Sequence, residues 1–161
     1  MLIKTPEFVK HLDSWLFKND QKDAAYFFMN KAHIPHPFKS YSKKLYRGMT
    51  VDKKFIDELK KKGYIDFKNH SSWSKDSKLA VKFATDSKYK IGVGTGTKIL
   101  ISKEIEQAKI IFDIDAYCQF FGEHTLTSMG LDELSYDSVV KEQEVLIAKG
   151  IRITEKDISM I

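Results

Sequence analysis

Apolar residues in the first third of this chain recur at helical spacing, and the later apolar runs are short and strand-like. Thr5 followed by Pro6 is a helix start, with a capping side chain and a proline at the first helical position. Phe8, Val9, Leu12, Trp15 and Leu16 then mark one face of a first helix that runs to about Lys18. A second helix from about Asp20 to Lys31 carries Ala24, Ala25, Phe27 and Phe28, and ends before His33-Ile34-Pro35-His36-Pro37. The two prolines exclude helix there and set a linker after an N-terminal helical layer, residues 1–40.

Lys44 to Met49 reads as a strand, and Asp52 caps a third helix with the stripe Phe55, Ile56 and Leu59, stopped by Gly63. Tyr64 to Phe67 and Ser71 to Ser74 are short extended pieces, and Asp76 or Ser77 opens a fourth helix carrying Leu79, Ala80, Phe83 and Ala84. From Lys98 the pattern is mostly strand: Ile99-Leu100-Ile101, Ile110-Ile111-Phe112, Val145-Leu146-Ile147 and a last one near Ile151 to Ile153. Helices come first and strands dominate later, so the expected class is α+β, in one domain spanning 1–161.

Composition narrows the setting. A hydrophobic share of 42% and a charged share of 30% are those of a soluble globular protein. No apolar run approaches a membrane span and no signal-peptide core follows Met1, so cytoplasmic action without a membrane partner is expected. Cys118 is the single cysteine, and the five histidines His11, His33, His36, His70 and His124 show no metal spacing; no metal is expected. The net charge of +5 is almost all lysine, with Arg47 and Arg152 the two arginines. The runs Lys53-Lys54 and Lys60-Lys61-Lys62 are the wet face of the third helix or a contact for nucleic acid or an acidic partner.

Three short pieces carry candidate chemistry: Leu45-Tyr46-Arg47-Gly48, Ser71-Ser72-Trp73-Ser74 and Glu142-Gln143-Glu144 before Val145-Leu146-Ile147. Arginine binds phosphate through a planar fork that lysine cannot imitate. In a strand, Ser72 and Ser74 share one face with Trp73 on the other, and a serine pair can orient a carboxylate or a ribose. If Glu142 to Ala148 is one strand, Glu142 and Glu144 also share a face, with Cα atoms roughly 6.5 to 7 Å apart. The run Val145 to Ala148 is apolar on both faces, as in a central strand, which sets carboxylates at a buried edge. The plainer alternatives are two exposed carboxylates in a loop, a Ser74 that precedes a helix cap, and an Arg47 in a surface salt bridge.

In combination and in this order, the three pieces resemble the Arg-Ser-Glu class of mono-ADP-ribosyltransferases. That class includes the enzymatic domains of clostridial binary toxins and the Alt and Mod enzymes of T-even bacteriophages. The resemblance covers about residues 44 to 150. It implies N-terminal helices packed on two mainly antiparallel sheets around an NAD cleft, with NAD as co-substrate. Carried over, it makes Arg47 and the adjacent Gly48 part of the NAD-binding surface, Ser72 the residue that positions the catalytic glutamate and the nicotinamide ribose, and Ser74 a structural support. Glu144 becomes the catalytic glutamate and Glu142 the residue that meets the acceptor; Glu at that earlier position accompanies arginine acceptors in the family.

The chemistry fits these residue types. Breaking the nicotinamide–ribose bond develops an oxocarbenium-like cation, which a carboxylate stabilises, and a protonated guanidinium needs a second carboxylate to orient and deprotonate it. The segment Leu131 to Lys141 corresponds to the family's substrate-recognition turn, where Tyr136 either stacks on the guanidinium or packs in the core. The glycine-rich run 91–97 is no Rossmann or P-loop fingerprint and corresponds to the family's phosphate-nicotinamide loop, or is a plain turn. The implied partners are NAD and a target protein of a bacterial host, with a monomer in the host cytoplasm if the protein comes from a phage. Modification of nucleic acid, NAD hydrolysis, or a basic binding module without catalysis are the alternatives.

Overall fold

Eight strands and seven α-helices make up the described part of a computed structural model, residues 1–84 and 96–161. The strands are β1 (Lys44–Val51), β2 (Tyr64–Asp66), β3 (Ser71–Ser74), β4 (Thr97–Glu104), β5 (Ile110–Phe112), β6 (Glu144–Ile147), β7 (Arg152–Thr154) and β8 (Ile158–Met160). The helices are α1 (Pro6–Lys18), α2 (Gln21–Met29), α3 (Lys53–Lys62), α4 (Ser77–Phe83), α5 (Ile114–Phe121), α6 (Glu123–Ser128) and α7 (Glu133–Glu142). Six strands pair antiparallel in the order β5-β6-β3-β1-β4-β8, and β2 pairs antiparallel with β7 in a second, two-stranded sheet. The class is mixed α+β with antiparallel sheets.

Local chemistry sets the early elements. Thr5 accepts from the Phe8 amide and Asn19 closes α1 in the left-handed conformation. Asp52 accepts from the Phe55 amide at the start of α3, and Gly63 ends it at φ 81°, a backbone state glycine enters without steric cost. The lysines of α3 face solvent, with Lys53–Asp57 and Lys62–Glu58 ion pairs one helical turn apart.

The expectation that strands dominate after residue 98 is overturned: α5, α6 and α7 fill the chain between β5 and β6. The starts of α5 and α7 were marked in the sequence by Asp113 and Asp132, each of which accepts a backbone N–H of the first turn. The periodicity of α7 is weak, with Ser135 and Val139 as its buried positions, and that hid it. Leu131 to Lys141 is therefore mostly helix and not a turn.

Two cores lie on opposite faces of the large sheet. One joins the N-terminal helices to the later ones and includes Phe8, Leu12, Trp15, Phe27, Phe112, Tyr117 and Leu146. The other gathers Leu45, Met49, Val51, Phe55, Trp73, Ile99, Val145 and Ile147. Successive residues of β6 thus enter different cores, and the strand is buried on both faces. Among the described residues no helix is long and apolar enough to cross a membrane.

Candidate functional site

The large sheet has a seam. Strands β1 and β4 pair over eight positions, from Lys44↔Glu104 to Val51↔Thr97, whereas β1 and β3 pair only at Tyr46↔Ser74. Past that bridge the two half-sheets part. By strand alternation Arg47 belongs with Leu45 and Met49, on the face opposite Tyr46 and Ser74. Its guanidinium reaches into the opening, where Arg47 Nη1 donates to the Ser72 carbonyl oxygen at 2.5 Å. Two adjoining cavities meet there, of about 290 and 180 Å³, and Arg47, Asn69, His70 and Ser71 line both. Trp15 and Ser72 face the smaller one.

Register carries the other residues to the same place. Ser74 pairs with Glu144 and Ser72 with Leu146, so Ser72, Ser74 and Glu144 share one face. Ser72 is 3% exposed, and its hydroxyl has no hydrogen-bond partner among the described residues. A buried polar atom in that state is costly, and few occur in native proteins without a reason. Glu144 is 4% exposed, and its Oε2 accepts from the Trp15 indole N–H at 2.8 Å. Ser74 is bound twice, donating to the Glu142 carbonyl oxygen at 2.6 Å and accepting from the Asp76 amide at 3.1 Å.

Glu142 requires a correction. It is the last residue of α7, and Gln143 turns the chain through the left-handed conformation at φ 50° before β6 begins at Glu144. The two glutamates are neighbours across a helix-to-strand switch and do not share a strand face. A non-glycine residue in that conformation leaves no mark in the sequence.

Gly48 and Tyr136 have packing roles. A Cβ on Gly48 would stand 1.8 Å from the Ala80 carbonyl oxygen, so the glycine admits α4 against β1 and that side of it has no room for a ligand. Tyr136 is half-buried on α7, packs on the first core and donates to the Cys118 carbonyl oxygen at 3.4 Å. In the glycine-rich run, positions 91–95 lie outside the described residues, and Gly96 sits tightly against Val51 and Thr50.

Sequence reasoning passed over His70, Gln21 and Trp15. The Gln21 side chain clamps the His70 backbone, accepting from its N–H at 3.0 Å and donating to its carbonyl at 2.9 Å. His70 Nδ1 accepts from the Lys149 amide at 3.0 Å, which leaves the ring proton on Nε2 in the neutral form. Burial, helped by nearby Lys149, holds its pKa below the ordinary histidine range. No spacing rule links Trp15 to a carboxylate 129 residues away.

A second buried polar cluster begins one residue past the end of β3. Lys75 reaches Asp113 at 3.0 Å and Asp115 at 2.9 Å, and lies over the Tyr41 ring. Burial pulls the ammonium down, but the two carboxylates more than offset this and hold its pKa above the ordinary lysine range. Burial pushes the Cys118 thiol up, so it stays protonated at neutral pH. Among the described residues no group of three or more His, Cys, Asp or Glu is placed to hold a metal ion.

Compared with protein-family models, with curated proteins and with solved structures, the chain matches none.

Proposed function

We propose that this protein is a mono-ADP-ribosyltransferase that moves ADP-ribose from NAD to an arginine of a target protein and releases nicotinamide. The observation that carries the reading is the contact of Arg47 with Ser72 at the β1–β3 seam, with Glu144 on the same sheet face as Ser72, although the three come from separate strands. The helices over antiparallel sheets, with the cleft where the half-sheets part, are read as an ADP-ribosyltransferase-like fold on the same ground.

The residues fit the co-substrate. The Ser72 hydroxyl is an orphaned polar atom beside a guanidinium and a cavity, which suits a ribose hydroxyl. The larger cavity is near the lower end of the range usual for ligand pockets, about 300 to 1,000 Å³, and the smaller one extends it. Arg47 would hold the diphosphate and Ser72 the nicotinamide ribose, with Ser74 keeping α7 docked on β3.

NAD supplies the bond that breaks: the nicotinamide nitrogen leaves with the electron pair, and ribose C1′ becomes electron-poor. Glu144 stabilises that charge at a position from which water is largely excluded. A guanidinium nitrogen bonds to C1′ and its proton passes to a carboxylate. Glu142, half-exposed at the end of α7 and two residues from Glu144, is the group for that role. By the same analogy the acceptor is a protein of a bacterial host and the setting its cytoplasm.

Purified protein incubated with bacterial lysate and labelled NAD tests the reading. Wild type labels protein and releases nicotinamide, Glu144→Gln does neither, and Glu142→Gln keeps nicotinamide release but loses transfer. Label on nucleic acid, or free ADP-ribose alone, replaces the acceptor assignment; tight nucleic-acid binding with no nicotinamide release leaves only a binding module.

A further inference from the structure

A buried carboxylate must be held by donors, and one donor to Glu144 comes from the N-terminal helix. Trp15 is almost fully buried, and its Nε1 lies 2.8 Å from Glu144 Oε2. The indole N–H donates and never accepts. It can therefore steady the ionised oxygen without taking a proton from the acid or offering it a base. The same ring lines the smaller cavity beside Arg47 and Ser72, so it is wall and donor at once.

The helix that carries Trp15 is braced in the turn before it, against two other helices. Asp23 of α2 accepts from Ser14 at 2.6 Å and contacts His11 Nδ1 at 2.9 Å. Asp13 accepts from the Asp132 amide at 2.9 Å and from Ser135 Oγ at 3.0 Å, which pins α1 to the start of α7. These bonds lie in the turn just before Trp15 and tie its helix to α2 and to the helix that ends at Glu142. The other tryptophan differs: Trp73 Nε1 donates to the neutral Ser71 hydroxyl, two residues away on the same strand.

We propose that Trp15 is a positioning residue of the active site, holding the Glu144 carboxylate in its working orientation and ionised state. The proposal rests on the transferase reading and deepens it: α1 becomes part of the catalytic apparatus and not only a covering layer. A group aligned by a rigid, charge-assisted hydrogen bond contributes more in the transition state than a mobile one.

Two measurements test it. Trp15→Phe keeps most of the ring and removes the N–H; nicotinamide release should fall about tenfold in kcat with the KM for NAD nearly unchanged. The acidic limb of its pH–rate profile should move to higher pH, because the ionised carboxylate has lost a donor. An unchanged kcat and an unmoved limb overturn the proposal and leave the bond a structural tie. Should Trp15→Phe fail to fold, the wild-type protein decides by nuclear magnetic resonance of its two indole N–H groups. The Trp15 signal should titrate together with the acidic limb of nicotinamide release and stop titrating in Glu144→Gln, while Trp73 stays still. A Trp15 signal flat through that limb overturns the proposal as well. Wild-type protein that releases no nicotinamide overturns the transferase reading instead, whatever the indole does.

Discussion

The two buried polar groupings along β3, around Ser72 and around Lys75, are built on opposite principles. Lys75 is closed: its ammonium faces two carboxylates, Asp115 also accepts from Gln119, and Asp113 also caps α5. The Ser72 hydroxyl is open: buried and without a hydrogen-bond partner among the described residues, it stands beside a cavity that Arg47 also lines. A satisfied network of charges does the work of holding elements in place, here β3 and α5. A buried hydroxyl left without a partner is destabilising unless something else completes it, and that asymmetry is why the surroundings of Ser72 are read as the site and the Lys75 cluster as a fastening.

Substitutions can sharpen or break this contrast. The largest effect is expected for Glu144→Gln, which keeps an acceptor for Trp15 yet removes the charge: nicotinamide release should drop about a thousandfold with little change in melting temperature. Next comes Lys75→Met, which strands two buried carboxylates. It should cost about 3 to 5 kcal/mol in urea unfolding, while the folded protein keeps nicotinamide release within a few-fold. If the two variants exchange phenotypes, the assignment of site and fastening is reversed. Ser72→Ala removes a hydroxyl that bonds nothing in the described structure, so stability should hold or rise slightly while activity falls about tenfold. A clear loss of stability would show that the hydroxyl has a structural partner.

The smallest effect concerns His70. Its folded pKa is depressed by burial, so the fold favours the neutral ring and the unfolded chain takes up the proton first as pH falls. The stability it contributes is fully present above pH 6.5, the ordinary histidine value, and is lost as pH falls through the folded value. Chemical denaturation of wild type across that window should show the loss, and His70→Asn, which keeps an acceptor for the Lys149 amide, should flatten it.

Much of the frame was legible because local chemistry wrote it: Thr5 and Pro6, Asp52 and Gly63, and Asp76 all start or stop helices where they were expected. The double-sided burial of β6 was legible from the unbroken run Val145-Leu146-Ile147. What stayed hidden depends on contacts between distant parts. Helix α7 is held by packing more than by its own pattern, so its end at Glu142 and the turn at Gln143 were read as strand. The seam follows from β1 choosing β4 over β3 as its long partner, which no local pattern encodes. The bond from Trp15 to Glu144 needed both ends of the chain in place.

The central claim is that Arg47, Ser72 and Glu144 make one NAD site, and calorimetric titration of NAD into Glu144→Gln measures it without turnover. One NAD should bind per chain, and adding Arg47→Lys should weaken binding at least about tenfold, since a lysine cannot reproduce the bidentate fork. A Glu144→Gln protein that folds normally and takes up no NAD, or binds it equally well with Arg47→Lys, would contradict the account.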